Sequence, residues 1–96
     1  MLELLSVVVR AFNKACVLPE FHRRMTEAMQ APDLNYEIIY VDDGSADETV
    51  AVWNNFQERD ESVAVIELSR YFGREVAISV GLDHSQRRIR LAYATH

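Results

Sequence analysis

The chain carries no G-x-G-x-x-G stretch and no P-loop, so the usual fingerprints for a dinucleotide or a nucleoside triphosphate are missing. Its one cysteine, Cys16, excludes an intrachain disulfide and suits a reducing, cytoplasmic compartment. His22, His84 and His96 stand at no metal-ligand spacing with each other or with Cys16. No Ser/His/Asp or Cys/His set emerges from spacing either, so no catalytic residue and no metal ligand is assigned. The apolar run Leu4 to Val9 is far too short for a membrane span. Glu3 ahead of it, with no cleavage site behind, does not read as a signal peptide. Positive charge is also scarce: 10 Lys and Arg against 15 Asp and Glu give a net charge of −5, which argues against a protein that tracks nucleic-acid phosphates. The dense basic cluster Arg87, Arg88 and Arg90 reads as a solvated terminal tail rather than a contact for anionic lipid heads.

What is present is one small domain of 96 residues. Hydrophobic content of 49% against 26% charged is enough for a core and argues against disorder. Leu4-Leu5-Ser6-Val7-Val8-Val9 predicts a buried strand. A helix is expected from near Val17, with Pro19 in its first turn and Val17, Phe21, Met25, Ala28 and Met29 along one face, ending at Ala31-Pro32-Asp33. Tyr36 to Val41 is the second expected strand. Ser45 and Glu48 form a capping box for a second helix that carries Val50, Trp53 and Phe56 on one face. Val63 to Leu68 is the third strand, Arg74 to about His84 the third helix, and Ile89 to Thr95 a fourth strand. Trp53, Phe56, Phe21 and the methionines are expected in the core, and His22 partly exposed on the first helix. Strands alternating with helices imply an α/β fold, a three-layer αβα arrangement with a mostly parallel sheet and right-handed crossovers. The strand-to-helix loops 10–16, 42–47 and 69–74 then share one edge and gather Asn13, Asp42, Asp43, Arg70 and Arg74.

Ligands of open α/β sheets bind at that edge. Asp42 and Asp43 end the second strand there, with side chains starting on opposite sides. An ionised carboxylate only accepts hydrogen bonds, so it suits a uracil or guanine N–H or a ribose hydroxyl. The alternative is that one of the pair satisfies turn amides and the helix N-terminus. Arg70 and Arg74 flank Gly73; they can pair with a diphosphate or remain a solvated pair. Asp47 and Glu48 are read as structural, favouring the helix dipole.

Three stretches then occur in order: Leu5-Ser6-Val7-Val8-Val9-x-Ala11-Phe12-Asn13, Tyr40-Val41-Asp42-Asp43-Gly44-Ser45-x-Asp47-x-Thr49, and Leu68-Ser69-Arg70-x-Phe72-Gly73-Arg74-Glu75. Over residues 4 to 84 the chain resembles the N-terminal part of a family-two glycosyltransferase of GT-A fold. It is most similar to the branch of dolichyl-phosphate mannose synthase and bacterial polyprenyl-phosphate glucosyltransferases. The resemblance implies a UDP- or GDP-linked sugar donor and a polyprenyl phosphate acceptor at the cytoplasmic face of a membrane. By position it implies that Ala11, Phe12 and Asn13 line a base pocket, that Asp42 or Asp43 holds the base or ribose, and that Arg70 and Arg74 lie near the base or diphosphate. It also implies Mg²⁺ or Mn²⁺, held in the family by an Asp-x-Asp motif at the end of the next strand, offsetting charge on the leaving diphosphate.

The chain departs from that pattern in four places. Arg10 stands where the family usually has Pro, Lys14 where it has Glu, and Tyr71 where it has Asn. Arg10 and Lys14 would either add diphosphate contacts or spoil the base pocket. After Gly81-Leu82-Asp83-His84 the family continues with Gly-Asp and Asp-x-Asp, whereas here Asp83 is the last carboxylate side chain. Residues 1–84 are therefore expected to be the nucleotide-sugar-binding half of a GT-A domain. Residues 85–96 are expected to be a divergent tail from a truncation or frameshift, with the metal ligands missing and no sugar transfer unaided. A non-catalytic nucleotide-binding or regulatory module is the alternative. A receiver-like signalling domain does not fit, because its first strand would end in acids, not Arg10-Ala11-Phe12-Asn13. An unpaired sheet edge in so short a chain leads us to expect a homodimer, through that edge or by exchange of the C-terminal segment.

Overall fold

The computed structural model describes residues 3–30, 34–85 and 89–94. The expected helix stop at Ala31-Pro32-Asp33, the pair Arg87 and Arg88, and Thr95 lie outside the described residues. The elements are β1 (Glu3–Ala11), α1 (Leu18–Ala28), β2 (Leu34–Asp42), α2 (Thr49–Arg59), β3 (Val63–Glu67), α3 (Arg74–His84) and β4 (Ile89–Ala94). The sheet order is β3-β2-β1-β4, and every neighbouring pair is parallel. Register runs from Glu3↔Leu34 to Ala11↔Asp42 between β1 and β2, and from Ile38↔Val63 to Asp42↔Glu67 between β2 and β3. The segment Ile89–Ala94 pairs with β1 from Leu5↔Ile89 to Arg10↔Ala94.

Alternation along the two central strands builds a layer on each face. Val7, Val9, Ala11, Ile38 and Tyr40 meet Leu18 and Met29 from the α1 side and Trp53 of α2, with Phe21, Met25, Val52 and Phe56 packed around them. Val8, Ile39 and Val41 face the other way, onto Ala77 and Leu82 of α3. The result is a three-layer αβα sandwich, as the order of elements predicts. β1 and β2 are buried on both faces, which is why they read as nearly continuous apolar runs. Gly81 sets the spacing of α3: a Cβ there would lie 2.3 Å from Val8 Cγ1 and 3.0 Å from Val41 Cγ2.

α1 begins with Val17 as its N-cap and Pro19 in the first turn, as expected. α2 corrects the sequence reading. Ser45 does not cap it; the helix starts at Thr49 behind Glu48, with no side-chain cap bond. Ser45 Oγ instead accepts the N–H of Asn13 at 2.9 Å, across the gap between two loops. Asp47 takes over part of the capping, its Oδ1 accepting the Thr49 N–H at 2.9 Å and the Thr49 hydroxyl. Burial alone would raise the Asp47 carboxyl, but hydrogen bonds from Thr49 and Ala15 outweigh it and hold the group below its usual value.

Candidate functional site

A parallel sheet sends all its strand-to-helix connections to one edge, and here three of them interlock. The ladder runs on past the strands: the Asp43 N–H donates to the Ala11 carbonyl at 3.1 Å, and the Leu68 N–H to the Asp42 carbonyl at 2.9 Å. Asn13, at φ 53°, then reaches across to the second loop. Its Oδ1 accepts the Ala46 N–H at 2.7 Å and the Asp47 N–H at 3.3 Å. In return the Lys14 N–H donates to Thr49 Oγ1 at 2.9 Å and the Ala15 N–H to Asp47 Oδ2 at 3.2 Å.

The two aspartates divide as their alternation requires. Asp42, buried on the α1 and α2 face, folds its carboxylate back onto the Ser45 N–H, 3.2 Å from each oxygen, and so closes the turn. Asp43, with 0% exposure, faces the α3 side with Arg10. Arg10 Nε and Nη2 both donate to Asp43 Oδ2, at 2.9 and 2.7 Å. The amides of the third loop complete the shell: the Phe72 N–H donates to Oδ1 at 2.8 Å and the Gly73 N–H to Oδ2 at 3.1 Å. The second and third loops also touch directly. At Gly44, φ +80°, a Cβ would lie 2.4 Å from the Tyr71 nitrogen.

Above this buried pair stands an aromatic wall. The Phe12 and Tyr71 rings meet edge to face, with centroids 5.0 Å apart at 81°. The Arg10 guanidinium lies 5.4 Å from the Tyr71 ring centre. Arg70 rests over the Phe72 ring at 4.7 Å, and Tyr71 through Val76, Arg74 included, line a groove of about 430 Å³. Arg70, Tyr71, Phe72 and Arg74 are all exposed, Tyr71 at 58%. α3 starts at Arg74 without a side-chain cap, so its N-terminal N–H groups and dipole face the same groove.

The structure thus brings Ala11, Phe12, Asn13, Asp42, Asp43, Arg70 and Arg74 to one edge, in different states. Ala11 is buried and offers its carbonyl to Asp43; Asn13 and Asp42 hold loops; Asp43 is enclosed by Arg10 and the third loop; Phe12 packs on Tyr71, Arg70 lies over Phe72, and Arg74 lines the groove. Sequence reasoning left Arg10 between two outcomes and assigned Tyr71 no part. Strand parity held the missing signal, since Arg10 pairs with Val41 and so shares a face with Asp43. Among the described residues no three His, Cys, Asp or Glu side chains converge to hold a metal ion. The donors present do not fit the divalent cation that the resemblance implies. No helix among the described residues is long and apolar enough to cross a membrane.

The remaining histidine chemistry lies behind the sheet. His22 is half-buried, hydrogen-bonds the Tyr40 hydroxyl through Nδ1 at 2.5 Å, and stacks on Phe56 at 4.1 Å. Burial pushes His22 below its usual pKa against the attraction of Asp60, and burial pushes the Tyr40 phenol up.

An open parallel αβα sheet with interlocked loops at its carboxyl edge is the Rossmann-like architecture of GT-A glycosyltransferases. Two solved structures share it: the mannosyltransferase PcManGT from Pyrobaculum calidifontis in complex with GDP-Man and Mn²⁺, and S. aureus TarS 1-349. The first has a TM-score of 0.75 at 23% identity, covering 85% of this chain and 24% of that one. The second has a TM-score of 0.79 at 21% identity, covering 94% and 26%. Residues 6–92 match the Glycosyl transferase family 2 model, and the chain belongs to that family. It is 36% identical over 81 residues to the uncharacterized glycosyltransferase YkcC of Bacillus subtilis (strain 168), covering 84% of this chain and 25% of that protein. It is 33% identical over 81 residues to the bactoprenol glucosyl transferase of Shigella phage SfV, covering 84% and 26%. The chain thus spans about a quarter of the length of these relatives.

Proposed function

We propose that the carboxyl-edge crevice binds a nucleotide-sugar donor, UDP- or GDP-linked, as the donor-recognising part of a polyprenyl-phosphate glycosyltransferase. The observation that carries this reading is the aromatic wall of Phe12 and Tyr71 set beside the exposed cations Arg70 and Arg74, at the edge where α/β sheets take ligands. The wall stacks the base. Arg70, Arg74 and the uncapped start of α3 meet the diphosphate. Ala11, Asn13, Asp42 and Asp43 act from beneath, holding the loops that present these groups. The donor class is supported by the GDP-Man of the Pyrobaculum structure, and the acceptor class by the bactoprenol relatives. On this reading the 96 residues bind a donor and do not transfer sugar by themselves, and the chain forms a homodimer through a sheet edge, at β3 or β4, or by exchange of the C-terminal segment.

Calorimetric titration with UDP and with GDP, each with and without Mn²⁺, tests the proposal. Saturable binding is expected, weakened about tenfold or more by Arg70→Ala combined with Arg74→Ala, because each lost charge-assisted contact to phosphate costs on the order of 1 kcal/mol. Mn²⁺ is expected to leave the affinity unchanged. No binding to either nucleotide contradicts the proposal.

A further inference from the structure

Resting on that reading, we infer that Arg10 is a specificity-determining residue: it occupies the carboxylate of Asp43 in place of a nucleobase and leaves the crevice tolerant of base identity. Donors and burial together close the Asp43 carboxylate. A carboxylate offers about four lone-pair positions. Asp43 receives four donors, unevenly: Nε–H and Nη2–H of Arg10 and the Gly73 N–H converge on Oδ2, while the Phe72 N–H alone meets Oδ1, whose remaining acceptor site is closed by burial. Its exposure is 0% and that of Arg10 is 8%, so no base edge reaches the pair without displacing the guanidinium. Asp42 supplies no substitute, being 2% exposed and turned onto the Ser45 N–H.

Apart from Glu75, whose exposed carboxylate lines the groove in the first turn of α3, what the crevice presents outward does not discriminate between bases. Phe12, Tyr71 and Phe72 offer ring surfaces, and every nucleobase has a π-face to lay on them. Arg70 and Arg74 are exposed cations, and every nucleoside diphosphate carries the same diphosphate. Arg10 acts through Asp43 and does not itself touch the ligand, so it is a positioning residue. Its ion pair also fixes Tyr71, whose ring lies over the guanidinium.

The test is a calorimetric panel of UDP, CDP, GDP and ADP on the full chain and on R10M and R10K. For the wild type, the four dissociation constants are expected to fall within about tenfold of one another, the span that stacking without edge readout allows. R10M keeps the side-chain length and removes the donors. It is expected to prefer uracil and guanine, which present a ring N–H, by about tenfold or more over adenine and cytosine, the worth of a good base-edge contact. R10K restores the positive charge and is expected to restore tolerance. A pillar that merely supports the fold would change all four affinities together. Should R10M prove unfolded by circular dichroism, the wild-type panel decides alone. A wild-type preference for one base of more than about tenfold overturns the inference while leaving donor binding intact. A chain that binds none of the four contradicts the proposed function, and this inference with it.

Discussion

Gly44 measures how closely two loops approach at the centre of the site. Its φ of +80° suits glycine, and an added Cβ would meet backbone on the far side, 2.4 Å from the Tyr71 nitrogen and 2.5 Å from the Arg70 carbonyl carbon. Backbone cannot rotate away as a side chain can, so Gly44→Ala is expected to cost about 2 kcal/mol or more. Urea denaturation would measure it, and a loss under about 0.5 kcal/mol would show that the loops are not rigidly seated. His22 gives the molecule an acid sensitivity of definite sign. Its folded pKa is depressed, so the folded state favours neutral imidazole. The stability tied to this group is fully present above the unfolded value near about 6.5 and is lost as pH falls below it, because the unfolded chain then binds the extra proton. The depressed Asp47 carboxyl acts in the same direction in a lower window, below about pH 4. His22→Phe keeps a ring against Phe56 and is expected to flatten the dependence of stability on pH between about 7 and 5. An unchanged slope in thermal melts would contradict the assignment.

At the scale of elements, α3 depends on Gly81. Alanine there gains about 1 kcal/mol of helix propensity but is driven into Val8 and Val41, at about 1–3 kcal/mol. Gly81→Ala is expected to lower the melting temperature, whereas a rise would mean that α3 stands off the sheet. The same elements show what the sequence made legible. β1, β2 and β3 carry strong local patterns, and their positions, like that of α3, agree with the expected ones within a residue or two. Both central strands run past the expected ends, because Arg10 and Asp42 are polar yet pair in the ladder. The failed Ser45 cap has a similar cause. Its Ser-x-x-Glu pattern is locally sound, but Asn13, 32 residues away, claims the hydroxyl. Arg10 and Asp43 are 33 residues apart, and their pairing depends on strand order and parity together. The gathering of three loops was legible from topology; that they close both carboxylates was not, since that depends on contacts between segments distant in the chain.

At the scale of the whole molecule, the sheet has β3 and β4 at its edges, and the family resemblance runs across nearly the whole chain. Self-association through these edges predicts a mass above the monomer by light scattering at high micromolar concentration; a monomer throughout contradicts it. On the proposed reading, in which the chain spans about a quarter of its relatives' length, a radiolabelled sugar-transfer assay on the isolated 96 residues is expected to show no turnover, and robust turnover contradicts that reading. The central claim concerns where a nucleotide sits, and amide chemical-shift mapping of the chain titrated with UDP tests it most directly. The account predicts saturable shifts concentrated at residues 11–15, 42–48 and 69–75, with α1 and the outer face of α2 unmoved. Shifts confined to the groove between α1 and α2, around Pro19, Val52 and Phe56, or no shifts at all, would contradict it.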